Sequence, residues 1–248
     1  QTMLVADALA ELQRAGLTTS LREIYYRTKH TIGDSHENTF DFQDESDPII
    51  EDLEVTLAAL REELHVRAEN AGSIVGPVVF VDDGDRVDCT RLGKGGYSVP
   101  SIVEPEYLQI ARCTADFVLL VEKGTQWNRL SEDKFWRRYN CVLLTGNGQP
   151  PRGVRRLARR LHEEYKIPVY VLVDNDPWGY YIYSVVKQGS INLAFESERM
   201  AIPKAKFIGL SSADPDAYGL PRNVGIKLND KDIGRAKELL KYRWFQKK

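Results

Sequence analysis

Cysteine is scarce in this chain, with Cys89, Cys113 and Cys141 the only three among 248 residues. An odd count without metal-ligand spacing excludes a disulfide framework and a zinc scaffold, and it points to a reducing compartment, the cytoplasm by default. Long apolar runs are missing as well. Residues 74–81, one of the longer stretches, contain Gly76 and Pro77 and fall far short of the roughly 20 residues that a membrane-spanning helix needs. There is no basic-then-apolar leader, and the chain opens on Gln1 and stops just after Trp244-Phe245, so it reads as a segment of a longer protein. Neither G-x-G-x-x-G nor G-x-x-x-x-G-K-[ST] occurs, so ATP binding by this chain is unsupported. Excess charge is lacking too: 34 Lys and Arg against 36 Asp and Glu leave a net charge of -2, which does not advertise a polyanion binder in bulk.

What is present is a composition that folds. At 42% hydrophobic residues the chain can bury one large core or two modest ones. Its charge is segregated: residues 34–54 hold nine acids and no Lys or Arg, whereas Arg152, Arg155, Arg156, Arg159 and Arg160 crowd into one stretch.

Residues 3–14 place Val5, Ala8, Leu9 and Leu12 on one helical stripe that stops at Gly16. Ser20-Leu21-Arg22-Glu23 fits a capping box and starts a second helix that runs to about Lys29. Asp47 with Pro48 behind it predicts a third helix, carrying Ile50, Leu53, Leu57, Leu60 and Leu64 inward. Residues 74–81 and 86–90 read as strands around the turn Asp83-Gly84. Three helices and a hairpin are the order of a winged helix-turn-helix. After residues 100–105 the pattern changes to short apolar runs at 117–121, 141–145, 169–173 and 207–210, alternating with helical patterns at 152–166 and 178–188. That alternation predicts a mostly parallel sheet with helices on its faces. The expected fold is thus α/β and multi-domain, with a division between residues 1–108 and 109–248.

Asp174-Asn175-Asp176 directly follows a predicted strand, and Glu122 follows another. Carboxylates at strand ends suit a hard cation such as Mg²⁺, which takes oxygen ligands. The competing reading of Asp-x-Asp is turn formation and a helix cap before Trp178. On the second helix Leu21, Ile24, Tyr25 and Thr28 share one face, while Arg22, Tyr26 and Lys29 share the other. Tyr26 is then an exposed phenol beside two cations, either a nucleophile whose phenolate they stabilise or a DNA-contacting tyrosine. The arginines of residues 152–160 can pair with phosphates or simply form a solvated helix face. Gly146-Asn147-Gly148 is a weak phosphate-loop signal, and His30, His36, His65 and His162 take no role.

Ser20-Leu21-Arg22-Glu23-Ile24-Tyr25-Tyr26, Val121-Glu122-Lys123 and Val171-Leu172-Val173-Asp174-Asn175-Asp176-Pro177-Trp178-Gly179 together resemble the A subunits of topoisomerase VI and their meiotic double-strand-break relatives. The likeness continues through Gly219-Leu220-Pro221, Asp232-Ile233 and Arg235-Ala236-Lys237-Glu238-Leu239-Leu240 to Trp244-Phe245-Gln246. It departs at Arg243, where many relatives carry Pro, and at Val154, where many carry Thr.

The resemblance implies a winged-helix domain with the active tyrosine, Tyr26, joined to a Rossmann-like Toprim domain whose acids Glu122, Asp174 and Asp176 hold Mg²⁺, with Arg22 as the motif arginine. It implies an isomerase that makes transient 5′-phosphotyrosyl double-strand breaks in DNA. Partners would be double-stranded DNA, a second copy of the chain, and an ATP-binding B subunit in an A2B2 assembly, with Lys29, Arg152, Arg155 and Arg156 on the DNA. Its place would be the cytoplasm at the nucleoid, or the nucleus of a eukaryote, with no membrane association. The alternatives are a meiotic-type break-forming transesterase without strand passage, a non-cleaving winged-helix regulator, and a Toprim nuclease acting through metal-activated water.

Overall fold

A computed structural model describes residues 1–68, 72–190, 197–212, 214–221 and 225–246. The chain forms two compact units, residues 1–70 and 71–248. Among the described residues no helix is long and apolar enough to cross a membrane.

The first unit is built on three helices. In α1 (Thr2–Arg14) the expected stripe Val5, Ala8, Leu9 and Leu12 is buried. The two-residue strand β1 (Thr19–Ser20) leads into α2 (Leu21–Thr28), where Ser20 Oγ accepts from Glu23 N at 3.2 Å, one half of the expected capping box. The third helix, α3 (Gln43–Leu57), begins earlier than Asp47. Glu45 causes this, because its carboxylate accepts the Asp41 amide at 2.9 Å and satisfies a donor ahead of the first turn. Pro48 therefore lies inside the helix and forfeits one backbone bond. The helix also ends sooner than the Leu60 and Leu64 stripe requires. Ala58 turns left-handed at φ 51°, and the fully buried Glu54 accepts the Arg61 amide at 2.6 Å, which folds the chain back. Leu64 still reaches the core with Ile24, Tyr25, Phe40 and Ile50, and β2 (Val66–Arg67) closes the unit by pairing parallel with β1.

In the second unit the expected strand at residues 74–81 is two strands in two sheets. Its halves are β3 (Ser73–Val75) and β4 (Val78–Asp82), parted at Gly76-Pro77. Gly76 adopts φ +134°, and a Cβ there would stand 2.5 Å from the Cys141 carbonyl oxygen, so only glycine permits the crossing. Strand β4 pairs antiparallel with β5 (Asp85–Asp88) across the Asp83-Gly84 turn; beyond the short β6 (Tyr97–Ser98), β7 (Leu108–Cys113) takes the other edge of β4. The hairpin thus belongs to the second unit and not to the helical one, and the expected division at residues 108 and 109 falls within a single unit.

The larger sheet continues through β8 (Phe117–Val121), α4 (Gly124–Glu132), α5 (Phe135–Arg138), β9 (Cys141–Thr145), α6 (Arg152–Tyr165), β10 (Val169–Leu172), α7 (Pro177–Gln188), α8 (Ser197–Met200) and β11 (Lys206–Ile208). Two further helices follow, α9 (Asp214–Ala217) and α10 (Asp230–Leu239). The strand order is β11-β10-β8-β9-β3-β6, parallel from β11 to β9 and antiparallel at β3 and β6. Both faces are covered. Val118, Leu120, Val142 and Leu144 pack with Val154, Leu157 and Leu161 of α6, while Leu119, Val121 and Leu143 pack with Trp127 and Trp136 of α4 and α5. This two-sided burial explains why the strands read as unbroken apolar runs.

Candidate active site

The connections leaving β8 and β10 run in opposite directions, the first to β9 and the second to β11, although the two strands are neighbours. Ligands of open α/β sheets bind beyond the carboxyl ends of such a strand pair. The register pairs Val121 with Leu172, so Glu122 and Asp174 emerge together at this point. Glu122 N donates to Leu172 O at 2.9 Å, and Asp174 N donates to Glu122 Oε2 at 3.1 Å.

Burial pushes the Glu122 carboxyl above its ordinary value, and the charges of Asp174 and Asp176 push it in the same direction against the Asp174 amide and Lys123. Mutual repulsion among acids is the signature of a site short of positive charge. Lys123 supplies some of it through an ion pair with Asp174 Oδ2, and that hydrogen bond raises the Lys123 ammonium in turn. The lysine thus stands in for a cation at the strand ends. Carboxylate oxygens are also the donors that Mg²⁺ prefers, and one or two from the protein suffice. The residues present fit such an ion through Glu122 and Asp174. Asp176 is turned to other work: Oδ1 accepts the Gly179 amide at 2.7 Å and caps α7, with Pro177 at the start of that helix. Among the described residues no group of three His, Cys, Asp or Glu is gathered closely enough to hold a metal ion.

Two side chains to which the sequence assigned no role, Asn175 and Trp178, hold this loop. Asn175 Oδ1 accepts from Tyr180 Oη at 3.2 Å and from Ser212 Oγ at 3.4 Å, while the Tyr180 ring stacks on Phe207 with centroids 5.5 Å apart. Trp178 donates to Asp232 Oδ1 at 3.2 Å, and the Arg235 guanidinium lies 4.4 Å from the Trp178 ring centroid, which docks α10 on α7. The signal was available only as a sequence block, because nothing local joins Trp178 to a helix 54 residues away.

In the first unit the two tyrosines of α2 part company as helical geometry requires. Tyr25 is 8% exposed and donates its hydroxyl to Asp41 O at 2.8 Å, whereas Tyr26 is 59% exposed. The Arg22 guanidinium lies 5.8 Å from the Tyr26 ring centroid. Lys29 departs from expectation. Its ammonium donates to Tyr25 Oη at 2.7 Å and to Asp41 O at 2.9 Å, so it is tied to the buried tyrosine instead of standing free for DNA.

The arginines of α6 are corrected more sharply. Arg155 is 5% exposed, and desolvation together with the Arg152 charge pulls it down to about 10. Arg156 makes two 2.8 Å bonds to the Glu104 carboxylate and a 3.1 Å bond to Arg199 O. Arg160, 3% exposed, bonds to Glu164 at 2.6 Å, to Leu108 O at 2.6 Å and to Val103 O. The approach to β7 and the segment before β11 cover this face, so it is neither solvated nor open to DNA at Arg155 and Arg156. Arg152 is half-buried in the first turn. The loop Gly146-Asn147-Gly148 offers no phosphate cradle either, because Gly148 N donates to Glu122 O at 2.9 Å and Asn147 N to Thr145 Oγ1 at 3.1 Å.

Comparison with known proteins covers the whole chain. Residues 117–248 match the model of the Toprim domain of topoisomerase 6 A subunits and Spo11, residues 1–66 that of type IIB DNA topoisomerase, and residues 68–114 that of an all-beta domain in the DNA topoisomerase VI alpha subunit. The chain is 45% identical over 258 residues to the A subunit of type 2 DNA topoisomerase 6 from Pyrococcus horikoshii, covering all of this chain and 67% of that protein. The protein of the same name from Aeropyrum pernix is 41% identical over 263 residues, again with 100% and 67% covered. The A3 subunit of DNA topoisomerase 6 from Oryza sativa subsp. indica is 37% identical over 241 residues, 96% of this chain and 52% of its own length.

Proposed function

The chain belongs to the family of topoisomerase 6 A subunits and Spo11, and from that premise we propose that it is the DNA-cleaving subunit of a type IIB topoisomerase, an isomerase that opens both strands of a duplex for passage of another. The observation that carries the reading is the sorting of the adjacent tyrosines on α2. Of the two, only Tyr26 has a hydroxyl able to meet a phosphate from solvent, since Tyr25 is spent on Asp41 and Lys29.

The helical unit would serve as a helix-turn-helix on DNA. Tyr26 Oη attacks a backbone phosphorus, the new O–P bond replaces the bond to the 3′ oxygen, and that oxygen leaves as a hydroxyl while the 5′ end stays on the tyrosine. Arg22, beside the Tyr26 ring, places a permanent cation where the phosphate arrives. Glu122 and Asp174 would hold Mg²⁺, which would supply electrostatic stabilisation of charge on the phosphate and on the leaving oxygen, while Asp176 anchors their loop to the start of α7. Because the phosphotyrosyl link conserves the bond, resealing is the reverse reaction and consumes no nucleotide. Two copies of the chain would act together, the tyrosine of each with the acids of the other, and an ATP-hydrolysing B subunit would complete an A2B2 assembly at the cell's DNA. The decisive experiment incubates the full A/B complex with supercoiled DNA and Mg²⁺ and then denatures it. Wild-type protein should be recovered covalently attached to 5′ ends; a Tyr26→Phe protein that is still attached sinks the assignment.

A further inference from the structure

A cavity of about 600 Å³ opens at the amino ends of β10 and β11, bounded by the last turns of α6 and by the approach to β11. It lies at the opposite end of the parallel strands from Glu122 and Asp174, separated from them by the length of β10, about 13 Å for four residues at ~3.3 Å each. Its charged lining is one-sided. Arg159, Lys166 and Lys204 face a single acid, Glu163, and that acid is already paired with Arg159 at 2.6 Å. Lys166 and Lys204 form no ion pair among the described residues, whereas Lys206 touches the rim but sends its ammonium to the face of Tyr170, 5.8 Å from the centroid, on the side of the sheet away from α6. Arg159 leaves its buried Nε without a hydrogen-bond partner among the described residues.

The walls are held in place. Arg159 bonds to Ala201 O, Ile202 N to Val186 O at 2.9 Å, and Ala205 O accepts from both Tyr183 Oη at 3.1 Å and Lys187 Nζ at 2.9 Å. The segment bearing Lys204 is therefore clamped on each side, and Pro168 and Pro203 stiffen its rims. His162 turns Nδ1 to Ile167 O at 2.7 Å, which fixes the ring at the cavity's edge.

Uncompensated lysines in a concave, preformed surface call for an anion, and point-charge ammonium groups recognise phosphate. Among the described residues no Phe, Tyr or Trp lines the cavity, and the His162 ring is held at its edge by Ile167 O, so such a site would read phosphates without reading sequence. We propose that this cavity is a second phosphate-binding site, which takes backbone phosphates of double-stranded DNA outside the segment held at the acids. The proposal rests on DNA being this chain's substrate but not on the role of Tyr26.

The test uses the full A/B complex carrying Lys166→Glu and Lys204→Glu together, beside a control with Lys231→Glu and Lys237→Glu that changes net charge equally. Affinity for a long duplex is measured against salt, and affinity for sodium tripolyphosphate by calorimetry at fixed ionic strength. Each phosphate contact contributes about 0.9 to the slope of log K against log salt. The cavity variant should lose about 2 units of slope and at least tenfold in duplex affinity, with the control unchanged and circular dichroism like wild type. Loss of tripolyphosphate binding alone keeps the phosphate site but assigns it to a soluble polyphosphate. If neither affinity moves, or if the control loses as much, the site does not exist. Affinity is read and cleavage is not, so failure of the Tyr26 assignment would leave this result interpretable.

Discussion

Asp174 donates its backbone N–H to Glu122 Oε2 at 3.1 Å, and this one bond joins the carboxyl ends of β8 and β10 at the point where their connections diverge. The pH behaviour of the site comes from burial and charge, which outweigh this bond. Burial and the neighbouring acids raise the Glu122 carboxyl, so the folded protein binds that proton more tightly than the unfolded chain. Without metal, stability should then fall as pH rises from the ordinary glutamate range through the raised value. Bound cation requires the carboxylate, so Mg²⁺ affinity should weaken as pH drops through the same window, with proton uptake on release. Glu122→Gln should flatten both dependences and lower Mg²⁺-dependent DNA attachment at least about a hundredfold. Calorimetry in two buffers of different ionisation enthalpy reads the proton directly; a Glu122→Gln protein with wild-type proton release refutes the account.

The Lys123 ammonium occupies Asp174 from a half-exposed position. Removing it should favour the divalent ion that competes for the same oxygen. An exposed pair is worth up to about 1 kcal/mol, so Lys123→Met should tighten Mg²⁺ binding by up to about fivefold, measured by titration at constant ionic strength. Weaker binding in the variant would show that the lysine supports the metal instead of opposing it.

The adjacent tyrosines give a paired contrast. Tyr25→Phe forfeits the hydroxyl bonds to Asp41 O and Lys29 Nζ, and it should cost about 1–2 kcal/mol in denaturant unfolding while covalent attachment to DNA persists. Tyr26→Phe should leave stability unchanged and abolish attachment. The reverse pattern would mean that the roles of the two faces of α2 have been exchanged.

This contrast was legible in the sequence because both faces of α2 follow from 3.6-residue periodicity alone, and Ser20 marks where the period starts. The strand-end acids were legible for a similar reason, since short apolar runs locate strands whose faces are both covered. The parting of residues 74–81 was not, because Gly76 is demanded by the Cys141 carbonyl of another strand, a neighbour that no local pattern announces. The arginines of α6 misled in the same way. Arg160 looks solvent-facing on a helical wheel, yet its acceptors Val103 O and Leu108 O lie more than fifty residues away and cover it. The wing was assigned to the helical unit because sequence order places the hairpin after three helices, whereas β7, a third strand, claims it for the second unit.

Gly179 stands in the first turn of α7, where a Cβ would collide with the Asp174 carbonyl. Backbone cannot yield as a flexible side chain can, so Gly179→Ala should cost about 1–3 kcal/mol and displace the acid loop, weakening Mg²⁺ binding as well. Gly234, on the exposed side of α10, meets nothing within 4 Å, and Gly234→Ala should stabilise by up to about 1 kcal/mol through helix propensity. Equal effects from the two substitutions would remove steric contact as the explanation.

Arg156 and Glu104 test whether α6 is a DNA surface or a structural clamp. Burial alone would raise the Glu104 carboxyl, but the bidentate bonds and charge of Arg156 outweigh it and hold the group below its ordinary value. A lowered carboxyl contributes stability that is present above the unfolded value and is lost as pH falls through the folded one. Arg156→Gln should therefore cost about 2–4 kcal/mol near neutral pH, and the gap from wild type should narrow as the solution is acidified below the glutamate range. Because the guanidinium is committed to Glu104 and Arg199 O, the salt slope of duplex binding by the variant should match wild type. A fall of about one unit in that slope, with stability unchanged, would return Arg156 to the DNA and overturn the clamp.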